Sequence, residues 1–177
     1  MTNISFLIFL AGTIVICLFT WQFAIKTRRF HGIPRFFAFE CILLLVLLNE
    51  PVWFKQPFAW NQIISWTLLF LSLVTALYGF ALLLHVGKPH GDFENTSHLV
   101  TVGLYKFIRH PLYASLLMLG FGVFFKHITL ITSILAFLNF VALIATAKSE
   151  EKEMLAKFGE EYLVYSEKTK MFIPFVF

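Results

Sequence analysis

Charge is scarce in this sequence. Asp, Glu, Lys and Arg make up 14% of its 177 residues, against about 25% in soluble domains. That shortage, beside a hydrophobic share of 59%, excludes an ordinary soluble domain. The 23 phenylalanines and 18% aromatic content exclude a disordered chain, which lacks such side chains. Cysteine is also rare. Cys17 and Cys41 both lie in apolar runs, which excludes a disulfide framework and a C-x-x-C metal pair. No ligand spacing calls for a metal ion, and internal repeats and low-complexity tracts are missing. The length leaves no room for a second domain of normal size. What remains, at a mean hydropathy of +0.80, is an all-α integral membrane protein forming one domain over residues 1–177.

Five apolar runs are expected to span. Ile4 to Ile25 carries no charge and is long enough to cross a hydrocarbon core. It lacks the basic flank and small-residue cleavage site of a signal peptide. Lys26-Thr27-Arg28-Arg29 follows it as a stop-transfer cluster. The second run, Phe36 to Phe54, contains Glu40 near its start and Asn49-Glu50-Pro51 near its end. An acid within a span faces the bundle or a cavity, so Glu40 reads either as a ligand contact or as the partner of a neighbour such as Arg35. Gln62 to Val86 is the third span and completes an N-terminal half, 1–86. In 87–177, Pro111 to Phe125 and Ile128 to Ala147 are separated only by Lys126-His127, which forces an antiparallel hairpin.

Basic residues set the expected orientation. With the N-terminus outside, Lys26, Arg28, Arg29, Arg35, Lys88, Lys106, Arg109 and the tail lysines lie inside, and only Lys55 and Lys126 lie outside. The positive-inside rule therefore predicts N-out, C-in. The net charge of +4 then reports orientation, and no nucleic-acid partner is expected. It also follows that the two polar segments, 87–110 and 148–177, share one aqueous side.

The first polar segment runs from His98 through Leu99, Val100, Thr101, Gly103 and Tyr105 to Arg109-His110-Pro111-Leu112-Tyr113. Pro111 suits the first turn of a helix. Arg109 and His110 then fall at that helix's N-terminus, beside unpaired backbone donors that suit an anion. Gly103 permits a positive φ or the close approach of a flat ligand, and Tyr105 and Tyr113 offer ring faces. The second segment opens Ser149-Glu150-Glu151-Lys152-Glu153. Acids at a helix C-terminus oppose its dipole. They read either as ligand-binding carboxylates or as a solvated run with pairs such as Glu153–Lys157. Met154, Leu155, Phe158, Tyr162 and Tyr165 form one stripe, which predicts a C-terminal interfacial helix weakened at Gly159. Met171 to Phe177 is expected to dip into the interface or cap the bundle.

Taken in order, L-V-T-x-G-x-Y (Leu99 to Tyr105), R-H-P-x-Y (Arg109 to Tyr113), a hairpin, E-E (Glu150, Glu151) and F-G-E-E-Y-x-x-Y (Phe158 to Tyr165) resemble the isoprenylcysteine carboxyl methyltransferase family. That family belongs to a wider group with the phospholipid N-methyltransferases. The likeness covers residues 85–175 and implies S-adenosyl-L-methionine bound at the cytoplasmic end. By that likeness Leu99 and Val100 would meet the adenine with backbone groups, with His98 and Thr101 alongside, and Gly103 and Tyr105 would shape the loop. His110, Pro111 and Tyr113 would contact the methionine part or the ribose, Arg109 would steady the loop, and Glu151 with Glu150 would hold the cofactor from the other side. Arg109, His110, Glu150 and Glu151 are the candidates for the chemistry. Eukaryotic members carry an arginine shortly before the acidic pair, near the substrate carboxylate. Here that stretch is Ala145-Thr146-Ala147-Lys148, which counts against a prenylcysteine carboxylate.

The expected acceptor is lipophilic or lipidated and enters from the bilayer, as a prenylcysteine-like carboxylate or a lipid headgroup. Two other classes remain: an NADPH-dependent membrane oxidoreductase of the sterol-reductase type, and a non-enzymatic scaffold or small transporter. A transporter would be expected to show polar or broken mid-span helices, whereas these spans hold little beyond Glu40, Asn49 and Asn139.

Overall fold

The computed structural model describes residues 3–91 and 93–176. Met1, Thr2, Asp92 and Phe177 lie outside them. Six α-helices follow in order: α1 (Asn3–Thr20), α2 (Gly32–Asn49), α3 (Trp60–His85), α4 (Pro111–Phe124), α5 (Leu130–Phe158) and α6 (Glu160–Lys168). A wider turn, Trp21–Ile25, extends α1, and a 3₁₀ turn, Glu50–Val52, extends α2. No strand occurs among the described residues.

Among the described residues, four helices have the length and apolar composition to cross a membrane: Asn3–Ile25, Gly32–Val52, Trp60–His85 and Leu130–Phe158. The expected fourth span, α4, has 14 residues. At 1.5 Å per residue it is about 21 Å long, short of the roughly 30 Å hydrocarbon core. Pro111 fixes its start. Its other end is tied to α3: Asn61 Nδ2 donates to the Phe125 carbonyl at 3.1 Å and Gln62 Nε2 to the Lys126 carbonyl at 3.3 Å. Lys126 itself is buried there. Its Nζ lies 3.5 Å from the Trp66 ring centroid and donates to Gln62 Oε1 at 3.0 Å. Two threonines then start α5 reciprocally. Thr129 Oγ1 accepts from the Thr132 amide, and Thr132 Oγ1 accepts from the Thr129 amide, which is a capping box.

The core is narrow because its contacts are small. Ala38 of α2, Ala114 and Leu117 of α4, and Leu143 and Ala147 of α5 bury together, the small-residue packing that lets membrane helices approach closely. Asn139 donates to the Ala38 carbonyl at 3.0 Å and Asn49 to the Val123 carbonyl at 2.8 Å, so these two polar mid-span groups join helices. Glu40 accepts from Thr13 Oγ1 at 3.1 Å. It joins α1 to α2 and is not the partner of Arg35, which pairs with Glu94.

The short α4 makes a recess. Pro111 packs beside Gly79 of α3, and α3 continues to His85, roughly 9 Å further. His110 meets Glu151 of α5, and α5 continues to Phe158, roughly 10 Å further. The N-terminus of α4 is therefore a floor, with the ends of α3 and α5 and the start of α2 as walls. The loop 86–110, α6 and the tail fill it.

The tail differs from a single interfacial helix. Gly159 adopts φ +57°, a left-handed conformation natural to glycine, and breaks the stripe between α5 and α6. Tyr162 and Tyr165 turn inward and bury, while Leu163 and Val164 stay exposed. Beyond α6, Met171 and Phe172 join the core, while Ile173, Phe175 and Val176 stay exposed.

Candidate active site

Loop 86–102 folds back on itself. The His90 amide donates to the Asn95 carbonyl at 2.9 Å and the Ser97 amide to the Gly87 carbonyl at 2.8 Å. This turn presents Phe93 and Glu94. The Phe93 ring packs on Phe19 and Phe23 of the α1 helix and its extension, and on Phe80 of α3. Glu94 is gripped by Arg35, by Arg29 Nη1 at 3.1 Å and by His31 Nε2 at 3.2 Å. Burial alone would raise the Glu94 carboxyl; the hydrogen bond from His31 and the charge and bond of Arg35 outweigh it and hold it at about 2. His31 also bonds Glu153 through Nδ1 at 2.9 Å. Glu153 therefore does not pair with Lys157, which instead donates to the Thr96 carbonyl at 2.6 Å and to Asn95. The loop is thus fastened to both α2 and α5.

Gly103 turns the chain next, at φ +61°. A Cβ there would lie 2.6 Å from Leu82 and 2.9 Å from the Tyr78 hydroxyl. The close approach it permits is to α3. Tyr105 follows in a 3₁₀ turn, Gly103–Lys106, and its carbonyl accepts from the Tyr165 hydroxyl at 2.7 Å, which ties the loop to α6. Burial pushes the phenols of Tyr105, Tyr162 and Tyr165 well above their usual range, so all three stay neutral.

The R-H-P turn is filled from within. The Arg109 amide donates to the Lys170 carbonyl at 2.7 Å and the His110 amide to the Met171 carbonyl at 3.2 Å. The tail therefore takes the two amides that precede Pro111. Arg109 Nε bonds Glu151 at 2.7 Å, and its Nη1 donates to the carbonyls of Ser166, at 3.0 Å, and Thr169. His110 Nε2 meets the same Glu151 at 3.2 Å. Its ring stacks on Tyr113 at 5.5 Å, and its Nδ1 lies 3.8 Å from Glu150. Glu151 thus positions Arg109 and His110, while Glu150 faces inward.

Between these parts lies a cavity with about 730 Å³ of empty space, open on one side. Of the residues singled out in the sequence, Leu99, Val100, Tyr105, Arg109, His110, Tyr113 and Glu150 line it. Glu151 stands behind them. His98 and Thr101 are exposed and outside its wall, Gly103 packs on α3, and Pro111 lies under Gly79. The sequence reading missed Arg35, Phe93, Glu94, Met154, Tyr162 and Tyr165 as wall residues. Arg35 carried a signal, a charge one turn into an apolar helix.

The wall is mixed in character. Leu83, Leu99 and Val100 give an apolar side, and Glu150 gives a carboxylate for a cation or for ribose hydroxyls. The Tyr162 hydroxyl is buried without a partner, an open position for a polar ligand, since such groups are nearly always bonded.

Known proteins share this part of the chain. The family model described as phospholipid methyltransferase matches residues 60–161, from the start of α3 to the first turn of α6. The chain is also similar to Methanethiol S-methyltransferase 1 of Bradyrhizobium diazoefficiens, 30% identical over 115 residues. That match covers 62% of this chain and 39% of the relative, so it spans well under half of the relative's length. The matched region holds the short α4, the R-H-P turn, the acidic pair and most of the cavity wall, and the chain belongs to the phospholipid methyltransferase family of membrane methyltransferases.

Proposed function

We propose that this protein transfers a methyl group from S-adenosylmethionine to a lipophilic acceptor, with the recess above α4 as the site and that recess on the cytoplasmic face. The observation that carries the reading is the cavity wall. It joins an apolar side (Leu83, Leu99, Val100) and an inward carboxylate, Glu150, all within the family-matched region, to an unpartnered buried hydroxyl, Tyr162, one residue beyond it.

When bound, S-adenosylmethionine supplies an electrophilic methyl on a positively charged sulfur. The chain's own part is to orient, to oppose charge and to keep water out. Fixing an in-line geometry is worth about 7–11 kcal/mol of barrier. Tyr105 and Tyr113 close the wall as neutral rings. Glu150 opposes a cation in the cavity. With Nε2–H donated to Glu151, His110 keeps Nδ1 as the ring nitrogen able to take a proton. An anionic acceptor, carboxylate or thiolate, needs no base. A protonated amine would have to lose its proton to His110 Nδ1 or Glu150. The relative's name adds a thiol to the acceptor chemistries, and the family's description adds a phospholipid. For this chain a bilayer-borne acceptor is favoured, because the walls of the recess are the ends of apolar helices.

Calorimetry of the detergent-solubilised chain with S-adenosylhomocysteine and with NADPH separates methyl transfer from reduction, and binding of the first is expected. Incubation with methyl-labelled S-adenosylmethionine and membrane lipid extract, with and without a prenylcysteine analogue or methanethiol, then identifies the acceptor. NADPH binding without S-adenosylhomocysteine binding would overturn the reading.

A further inference from the structure

Arg35 stands one turn into α2, where it is 4% exposed, and it lines the cavity. Its Nη1 is committed to Glu94, and the Phe19 ring lies 5.3 Å from the guanidinium carbon. Its Nε and Nη2 are both buried and both without a partner. These two nitrogens are not an arbitrary pair. On a planar guanidinium, Nε–H and one Nη2–H point the same way from a single edge. Their spacing matches the two oxygens of a carboxylate. A charged donor left unpaired away from water is costly, and native structures rarely keep one without a reason.

Arg109 gives the contrast within the same wall. Its Nε is taken by Glu151 and its Nη1 by two backbone carbonyls, so its role is exhausted in holding the loop, α5 and α6 together. Arg35 is held in place by one bond and keeps a complete edge free. A lone thiolate or alkoxide would use one of the two donors; a carboxylate uses both.

We infer that Arg35 is the carboxylate-binding residue of this cavity, taking both oxygens of a ligand carboxylate on its Nε–Nη2 edge. The inference rests on the methyl-transfer reading, which offers two sources: the methionine carboxylate of S-adenosylmethionine, or the carboxylate of the acceptor. The ligand chemistry is the same in both.

The test uses the full chain in detergent, as wild type, Arg35→Gln and Arg35→Lys. The lysine variant keeps a cation for Glu94 but has no second edge. Calorimetry compares S-adenosylhomocysteine with 5′-methylthioadenosine, which keeps the nucleoside and thioether but lacks the amino-acid carboxylate. A second arm adds N-acetyl-S-farnesylcysteine or its methyl ester to protein saturated with S-adenosylhomocysteine. If the donor's carboxylate is the ligand, both variants lose about ten- to a hundredfold in affinity for S-adenosylhomocysteine and bind 5′-methylthioadenosine as wild type does. If the acceptor's is, nucleoside binding is unchanged and the preference for the free acid over the ester disappears. Binding of 5′-methylthioadenosine also shows that the cavity is intact in each variant. Variants indistinguishable from wild type in both arms, or equally weakened toward the ligands with and without a carboxylate, would overturn the role of Arg35 alone. Wild-type protein that binds neither nucleoside would overturn the methyl-transfer reading, and this assignment with it.

Discussion

Glu94 is the clasp of the loop over the cavity, and acid should open it. The perturbation is pH, with Glu94→Gln as its control. In the folded chain Arg29, His31 and Arg35 surround the Glu94 carboxylate, and it is held at about 2 in place of its ordinary 4.5. That difference corresponds to about 3 kcal/mol. Because the folded value is depressed, the contribution is present in full above 4.5 and drains away as pH falls toward 2. His31 works in the opposite direction. Burial pushes its imidazolium down, but the bonds to Glu94 and Glu153 and the nearby Glu150 carboxylate raise it above 6.5. Its contribution is present below 6.5 and is lost as pH rises through the raised value. The loop is therefore fastened best between 4.5 and the upper limb. Amide exchange at His90 and Ser97, whose amides close the loop, measures its opening once the intrinsic pH dependence of exchange is removed. Opening should increase on both limbs in the wild type, and Glu94→Gln should flatten the acid one. An acid limb of equal depth in Glu94→Gln would refute the reasoning.

Gly103→Ala forces a side chain into φ +61° and against Leu82 and Tyr78; a loss of about 1–3 kcal/mol is expected, read by thermal unfolding. Tyr165→Phe removes the bond to the Tyr105 carbonyl and should cost about 1–2 kcal/mol, with weaker S-adenosylhomocysteine binding as α6 loosens. Lys126→Ala empties the space over Trp66 and leaves Gln62 Oε1 without its donor. A cost of about 2–4 kcal/mol follows, and nucleoside affinity in the protein that remains folded should be unchanged, because this staple lies at the far end of the bundle.

The helices were legible because crossing a bilayer imposes a coarse rule on composition. The charge-free runs gave α1, α3 and most of α5 to within a few residues. The rule misses how short α4 is. An apolar run bounded by Pro111 and Lys126 looks like a span by hydropathy, yet it ends where Asn61 and Gln62 hold its last carbonyls. Those partners lie far away in sequence and leave no periodic trace. The tail failed for a related reason. Met154 to Tyr165 has a helical period throughout, but Gly159 reverses the backbone midway and sends Tyr162 and Tyr165 to the cavity.

Within the site, what was legible lies in contiguous motifs. Leu99, Val100, Tyr105, Arg109, His110, Tyr113 and Glu150 reach the cavity together because each sits within a few residues of the loop, the α4 floor or the α5 wall. What was missed comes from α2, the middle of the loop, the inner end of α5 and α6. Arg35 was weighed as a partner for Glu40, five residues away, because sequence proximity was the available measure of distance. Only folding reveals that Glu40 turns to Thr13 of α1 and that Arg35 turns to Glu94, on a loop whose sequence bears no motif. The acidic run divides in the same way. Glu150, Glu151 and Glu153 look alike in sequence, yet helical rotation gives them three tasks: one faces the cavity, one holds Arg109 and His110, and one holds His31. In a chain with so few charges, that division leaves one carboxylate of the three, Glu150, facing the cavity, with Arg35 across from it holding an unfilled edge.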